Sequence, residues 1–188
     1  MPEFNQIETP SRRPAILIAT AALILIAVAI YLYGRNRKPI ASITGVQTYV
    51  ASSELKAIRG TSNVIGALSH IDNDLYVLAN VKLTDNTSQP LIIKDETGVL
   101  TAPDHSILES SAIQASELPQ IYNAFPALQK LATKALARET KISPGETIEG
   151  MVLLHFPGAT EANWNPRESA TVTITLYPDT PITLTIPK

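Results

Sequence analysis

The stretch "KISPGETIEGMVLLHFP", Lys141 to Pro157, holds the residue types from which a site could be made: Glu146, Glu149 and His155. An imidazole facing carboxylates can act as a general base or a metal ligand. Such chemistry needs a second histidine or a carboxylate at ligand spacing, and none lies beside His155 in sequence. The chain has three histidines, His70, His105 and His155, all far apart. "HIDNDLY" adds Asp72, Asn73 and Asp74, which are oxygen ligands and equally ordinary turn formers. A calcium loop needs more ligands, a longer span and a glycine at its sharp turn. No metal and no cofactor is therefore expected. A hydrolase or transferase would have to build its site from Asp72, Asp74 and a histidine. No nucleophile elbow, phosphate-binding loop, H-E-x-x-H or dinucleotide fingerprint accompanies them.

A second group of candidates is basic. Lys130, Lys134 and Arg138 follow one another at four-residue spacing, and Lys141 lies just beyond. On a helix they form one stripe with no acid interleaved. That stripe is either a solvated face near a helix C-terminus or a contact for anionic headgroups, an acidic polymer or a protein partner. Over the whole chain, 15 basic and 17 acidic residues give a net charge of -2. Residues 40–188 alone carry 10 basic and 15 acidic side chains, an excess that argues against nucleic acid as a partner. There is no cysteine, so disulfides, zinc-thiolate sites and thiol catalysis are excluded.

The elements that must position these residues are mainly strands. "LYVLANVKLTD" alternates, with Leu75, Val77, Ala79, Val81 and Leu83 on one face and a mostly polar set on the other, which predicts a half-buried antiparallel strand. "SATVTITLY" and "ITLTI" repeat the pattern, and "SITGVQTYV" supplies a first strand. "PLIIK" and "GVLTA" read as short strands around a turn at Asp95-Glu96-Thr97-Gly98. Within the opening stretch, Ser143-Pro144-Gly145-Glu146 is turn chemistry, since proline fixes one φ and glycine permits a positive one. A strand follows over Thr147–Phe156, with Ile148, Gly150, Val152, Leu154 and Phe156 on one face. Met151, Leu153 and His155 share the other, so His155 is expected to be a partly exposed strand histidine. Trp164 falls in a loop and should cap one end of a sandwich.

Residues 115–138 break the two-residue period. Leu118, Ile121, Phe125, Leu128, Leu131 and Leu136 recur at three- to five-residue spacing. Ser116 can cap the start, and Pro126 breaks the run but suits the first turn of a new helix. Helices are expected near 117–124 and 127–137.

The amino-terminal part is different again. "PAILIATAALILIAVAIYLYG", Pro14 to Gly34, carries no charge over 21 residues. As a helix it would cover roughly 30 Å, the thickness of the hydrocarbon core. Tyr31 and Tyr33 stand where aromatic rings favour the interface. Ala27-Val28-Ala29 has the small-residue pattern of a signal-peptidase site, but the apolar run continues past it to Arg35, which favours an uncleaved anchor. The flanking charges, Arg12 and Arg13 against Arg35, Arg37 and Lys38, lean towards a cytoplasmic carboxyl side. Long domains translocate with little regard to charge, and the expected orientation places the domain outside.

The sequence thus predicts a tail over 1–13, a transmembrane anchor over 14–34, a linker over 35–41 and a β-sandwich domain over 42–188 with its helical insert at 115–138. Over residues 75–186 it resembles the uncharacterised membrane-anchored, immunoglobulin-like domains of bacteria. In these a strand ends in an Asn-containing turn before a P-L step, and a Pro-Gly turn opens a G-x-V-x-F strand. Asn86, Pro90, Leu91, Pro144, Gly145, Gly150, Val152 and Leu154 carry the resemblance. It implies an immunoglobulin-like antiparallel sandwich in the bacterial inner membrane, with its domain outside the cytoplasm, and it brings no catalytic residue with it. The expected function is a non-catalytic binding or scaffolding module of the cell envelope. Its partners would be the bilayer, through residues 14–34, and an envelope protein. The alternatives are a subunit of a larger envelope complex and a hydrolase or transferase with an unrecognised site.

Overall fold

The computed structural model describes residues 13–35, 37–55 and 70–188, with side chains described over 18–32, 37–52 and 73–188. The chain divides into two units, Met1–Lys38 and Pro39–Lys188. Residues 1–12 of the expected tail and residue 36 of the linker lie outside the described residues.

In the first unit, α1 (Arg13–Arg35) occupies the charge-free stretch. Among the described residues no helix is long and apolar enough to cross a membrane. The expected anchor extends beyond the described side chains at both ends.

The second unit is mainly β, two antiparallel sheets forming a sandwich with short helices. One sheet has the order β1 (Ile40–Leu55), β2 (His70–Thr84), β6 (Thr147–Pro157). The other has the order β4 (Ile107–Ser111), β3 (Leu91–Thr101), β7 (Ser169–Tyr177), β8 (Ile182–Thr185), and β5 (Lys141–Ile142) also pairs with β3. The alternation read from the sequence sets the interior. Leu75, Val77, Ala79, Val81 and Leu83 of β2, and Val152, Leu154 and Phe156 of β6, meet Val172, Ile174 and Leu176 of β7 in one core.

Three expectations are corrected. First, β3 is one strand from Leu91 to Thr101, with no turn at Asp95–Gly98. A bulge between Ile93 and Asp95 absorbs an extra residue against β7. Gly98 is needed inside this strand: a Cβ there would lie 2.3 Å from Leu154 Cδ1. Second, the outer face of β2 is not mostly polar. Tyr76 and Leu78 are buried with Met151, Leu153 and Ala51 beneath Leu118 and Leu128 of the insert, which form a second core. Third, the insert is less helical than its composition suggests. α2 (Leu118–Ala124) and α3 (Pro126–Leu131) meet at Pro126 as expected, but the second helix stops at Leu131. Residues 134–136 then run beside β6: Met151 N donates to Lys134 O at 2.8 Å and Leu136 N to Met151 O at 2.9 Å. Ser116 does not cap α2; the N-cap is Glu117, whose Oε2 accepts from Gln114 N at 3.0 Å.

The opening stretch is structural in the way its chemistry suggests. Glu146 N donates to Ser143 O at 2.9 Å, and Ser143 N donates to Glu146 Oε2 at 2.8 Å, closing the turn from both sides. Gly145 sits at φ +81 with open space around it. Its N–H reaches Asp85 O at 2.7 Å, and Asp85 N reaches Glu146 O at 3.0 Å, so the turn before β6 is bolted to the turn after β2. Asp85 is itself buried and accepts from Thr87 N and Thr87 Oγ1, both at 2.7 Å. A β-branched residue at positive φ is strained by roughly 1–2 kcal/mol or more. Gly145→Val should therefore lower the thermal midpoint of the protein by a few degrees, on the order of 2–8 °C. Tryptophan fluorescence would report it, because Trp164 is the sole tryptophan and is buried. An unchanged midpoint would show that the turn tolerates the strain.

Candidate functional site

Four polar assemblies stand out, and each draws its residues from distant parts of the chain.

The first contains His155. Its imidazole stacks on Tyr76, with centroids 4.7 Å apart and planes 15° apart. Nε2 lies 3.4 Å from Asp74 Oδ2, within ion-pair distance but out of hydrogen-bond alignment. The register of β2 against β6 causes this, since Tyr76 faces His155 and Asp74 faces Pro157. His155 is partly exposed, as the sequence indicated, and the fold adds the carboxylate that sequence spacing did not. A histidine–aspartate pair becomes a catalytic device when a nucleophile meets the other ring nitrogen. Ser110 Oγ is nearby, but it accepts from His155 N at 2.9 Å and points to Ser111 O at 3.1 Å. Of the residues proposed beside it, the side chains of His70 and Asp72 lie outside the described residues. His105 is elsewhere, with Nδ1 2.8 Å from Glu168 Oε2, and this bond raises the imidazole pKa. Among the described residues no group of three or more ligating side chains could hold a metal.

The second assembly is the latch of the insert. Arg138 Nη2 pairs with Asp95 Oδ1, and its Nε lies 3.8 Å from Glu96 Oε2. The bulge in β3 turns Glu96 inwards, where only 1% of it is exposed and Oε1 has no hydrogen-bond partner. Burial pushes its pKa up to about 7, Arg138 opposes the rise, and Asp95 adds to it.

Arg138 was expected to belong to a helical basic stripe. The structure does not align that stripe: Lys130 is on α3, Lys134 is in the extended segment, Arg138 is in the turn that follows it, and Lys141 is in β5. All four are exposed, and Arg138 is tied to Asp95 and Glu96. The four-residue spacing lost its meaning when the helix ended at Leu131.

The third is a shallow groove of about 330 Å³ on the outer face of the β1–β2–β6 sheet. Thr44, Asn80, Thr133, Lys134 and Glu149 line it, and Thr133 Oγ1 donates to Asn80 Oδ1 at 2.7 Å. Lys82 pairs with Glu149 at 2.9 Å.

The fourth is the groove where the two sheets end. Among the described residues β1 has one strand neighbour, β2, and β8 has one, β7. Beside β1 opens a groove of about 410 Å³, lined by Ile43, Thr44, Gly45, Val46 and Thr48 of β1 and by Trp164, Asn165, Arg167, Pro187 and Lys188, the last two lying past the end of β8. A short helix, α4 (Glu161–Trp164), is held by a capping box between Thr160 and Asn163 and drives Trp164 into the core. The sequence expected a loop here; Trp164 does close an end of the core, but from a helical turn. Arg167 stacks on the indole 3.9 Å from its centroid and is only 3% exposed. Its Nη1 donates to Trp164 O at 2.9 Å and its Nη2 to Pro187 O. Nε is buried with no hydrogen-bond partner, and burial depresses the guanidinium pKa. Nothing in "NWNPRES" announced this role, because it depends on two elements far apart in sequence.

No family model matches the chain, and no curated protein matches it. Among solved structures it is similar to an uncharacterised β-sandwich protein from Clostridium difficile 630. The identity is 13%, the TM-score is 0.38, and the match covers 80% of this chain and 86% of that one.

Proposed function

We propose that this chain is a membrane-anchored, non-catalytic binding module of the bacterial cell envelope, its sandwich of immunoglobulin-like type and held outside the cytoplasm. The observation that carries the reading is the contrast between the two units. Every described side chain of α1, from Ile18 to Leu32, is exposed, and the exposed set includes Ile18, Leu23, Leu25 and Ile30 at 68% or more. A helix apolar on all sides needs a lipid environment to satisfy it. The charge-free run Pro14–Gly34 is long enough to supply the span. The sandwich, by contrast, keeps its own core.

The polar residues of the sandwich support binding over catalysis. Arg138, Asp95 and Glu96 hold the insert, Glu146 closes a turn, and His155 is stacked on Tyr76. A groove along a sheet edge is a surface for a ligand or a partner strand.

The test is a carboxyl-terminal fusion to a reporter enzyme active only outside the cytoplasm, expressed in a bacterial host. The expected result is reporter activity that sediments with membranes and resists alkaline carbonate extraction. Activity in the soluble fraction would remove the anchor. Membrane-bound protein with a silent reporter would place the sandwich in the cytoplasm and overturn the envelope reading.

A further inference from the structure

We propose that the groove beside β1 binds an extended peptide carrying a carboxylate, which pairs with β1 and places its carboxylate against Arg167. This inference rests on the reading of the chain as a binding module and names the chemistry of what is bound.

Arg167 is the starting point. A guanidinium is always charged and carries five N–H donors. This one is 97% buried, yet its described partners are two backbone carbonyls and an indole face, with no carboxylate among them. A buried charge is costly unless paired. Lys94, Lys82 and Arg138 all have carboxylates within the described fold, at Glu139, Glu149 and Asp95. Arg167 is more deeply buried than these and lacks what they have. It lines a groove that would admit the missing group from outside.

The shape of the groove selects an extended chain over a compact ligand. One wall is a stretch of edge strand, Ile43 to Thr48. Half of the backbone groups of such a strand point away from its single neighbour and can pair with an added strand. The bulge between Ile43 and Gly45 interrupts that edge. Bulges discourage indiscriminate pairing, so a partner would obtain only a short ladder. Its selectivity must then come from a side chain, and the polar groups that close the far wall are Asn165, Arg167 and Lys188. Charge complementarity makes that side chain an acid.

The experiment uses the full chain in mild detergent and measures fluorescence anisotropy with labelled peptides. The first probe is a hexapeptide of alternating valine and threonine with one central glutamate. The second has glutamine in place of the glutamate. Unlabelled glutarate competes as a free carboxylate. The glutamate peptide should bind about 10- to 100-fold more tightly than the glutamine peptide. Glutarate should compete only at far higher concentration, because it lacks the backbone that pairs with β1. Arg167→Gln should abolish the preference for glutamate, and its melting curve would report whether the fold survives. Independently of any variant, the Arg167 Nε–H resonance of the wild-type chain should shift on adding the glutamate peptide and stay put with the glutamine one. Equal affinity of the two peptides would overturn the carboxylate, and glutarate competing as well as the peptide would overturn strand addition. A chain that passes the reporter test and binds neither peptide refutes this inference and leaves the envelope module standing.

Discussion

Gly150→Val should detach the insert from the sheet. A Cβ at Gly150 would lie 2.9 Å from the N, Cα and Cβ atoms of Leu136, and two of these are backbone atoms that cannot swing aside. The extended segment must therefore move away from β6 as a unit. That motion breaks the hydrogen bonds from Leu136 N to Met151 O and from Met151 N to Lys134 O. It also strains the latch, because Arg138 follows two residues later and is tied to Asp95 and Glu96. Overpacking costs roughly 1–3 kcal/mol, and each lost hydrogen bond adds about 1 kcal/mol. A total of about 3 kcal/mol corresponds to a fall in midpoint of about 6–12 °C for a domain of this size. The loss should be local before it is global. Amide exchange at Met151 and Leu136 should accelerate more than exchange at Val77, in the middle of β2. Melting at the wild-type temperature, with protected amides at both positions, would show that the segment yields without leaving.

The same segment shows where sequence reasoning stopped. "LATKALAR" is rich in good helix formers, and intrinsic propensity favours a helix there. The structure prefers pairing with β6, because residues 134–136 then satisfy the backbone of Met151 and cover a position that must be glycine. That preference is tertiary and leaves no local mark. The burial of the outer face of β2 is legible in the sequence. Tyr76 and Leu78 are apolar on the supposedly polar side, and the run Met151–Phe156 has five apolar residues around His155, a sign of a strand buried on both faces. The turn residues Ser143–Glu146 and the inward set of β2 were readable, since each depends on near neighbours in the chain. Asp95–Gly98 has turn composition, yet a bulge and the close approach of Leu154 account for the same residues inside a strand. The groove at Arg167 and the contact between Asp74 and His155 depend on which strands lie side by side, and one sequence does not specify that.

Glu96→Gln should stabilise the protein in alkaline solution and flatten its dependence on pH. Glu96 faces the interior because the bulge at Ile93/Asp95 shifts the alternation of β3, and water is excluded from it. Burial raises its pKa from 4.5 to about 7 against the pull of Arg138, while the charge of Asp95 assists the rise. The folded state therefore holds the proton more tightly than the unfolded state. Below about pH 4.5 the carboxyl is neutral in both states and its contribution is at its best. Between 4.5 and 7 the unfolded chain loses the proton first, so stability falls as pH rises. Above 7 the carboxylate is charged in both states, and the cost has reached its full value of about 3 kcal/mol. Glutamine keeps the volume and a polar oxygen facing Arg138 Nε, 3.8 Å away in the wild type, but has no proton to lose. At pH 8 the variant should be more stable by about 2–3 kcal/mol, and near pH 4.5 the two proteins should melt together. Urea unfolding followed by Trp164 fluorescence at several pH values measures both. A variant less stable than wild type at pH 8 would mean that the charge of Glu96 is needed by Arg138. The latch would then be a true ion pair, and desolvation would not be the dominant force on this carboxyl.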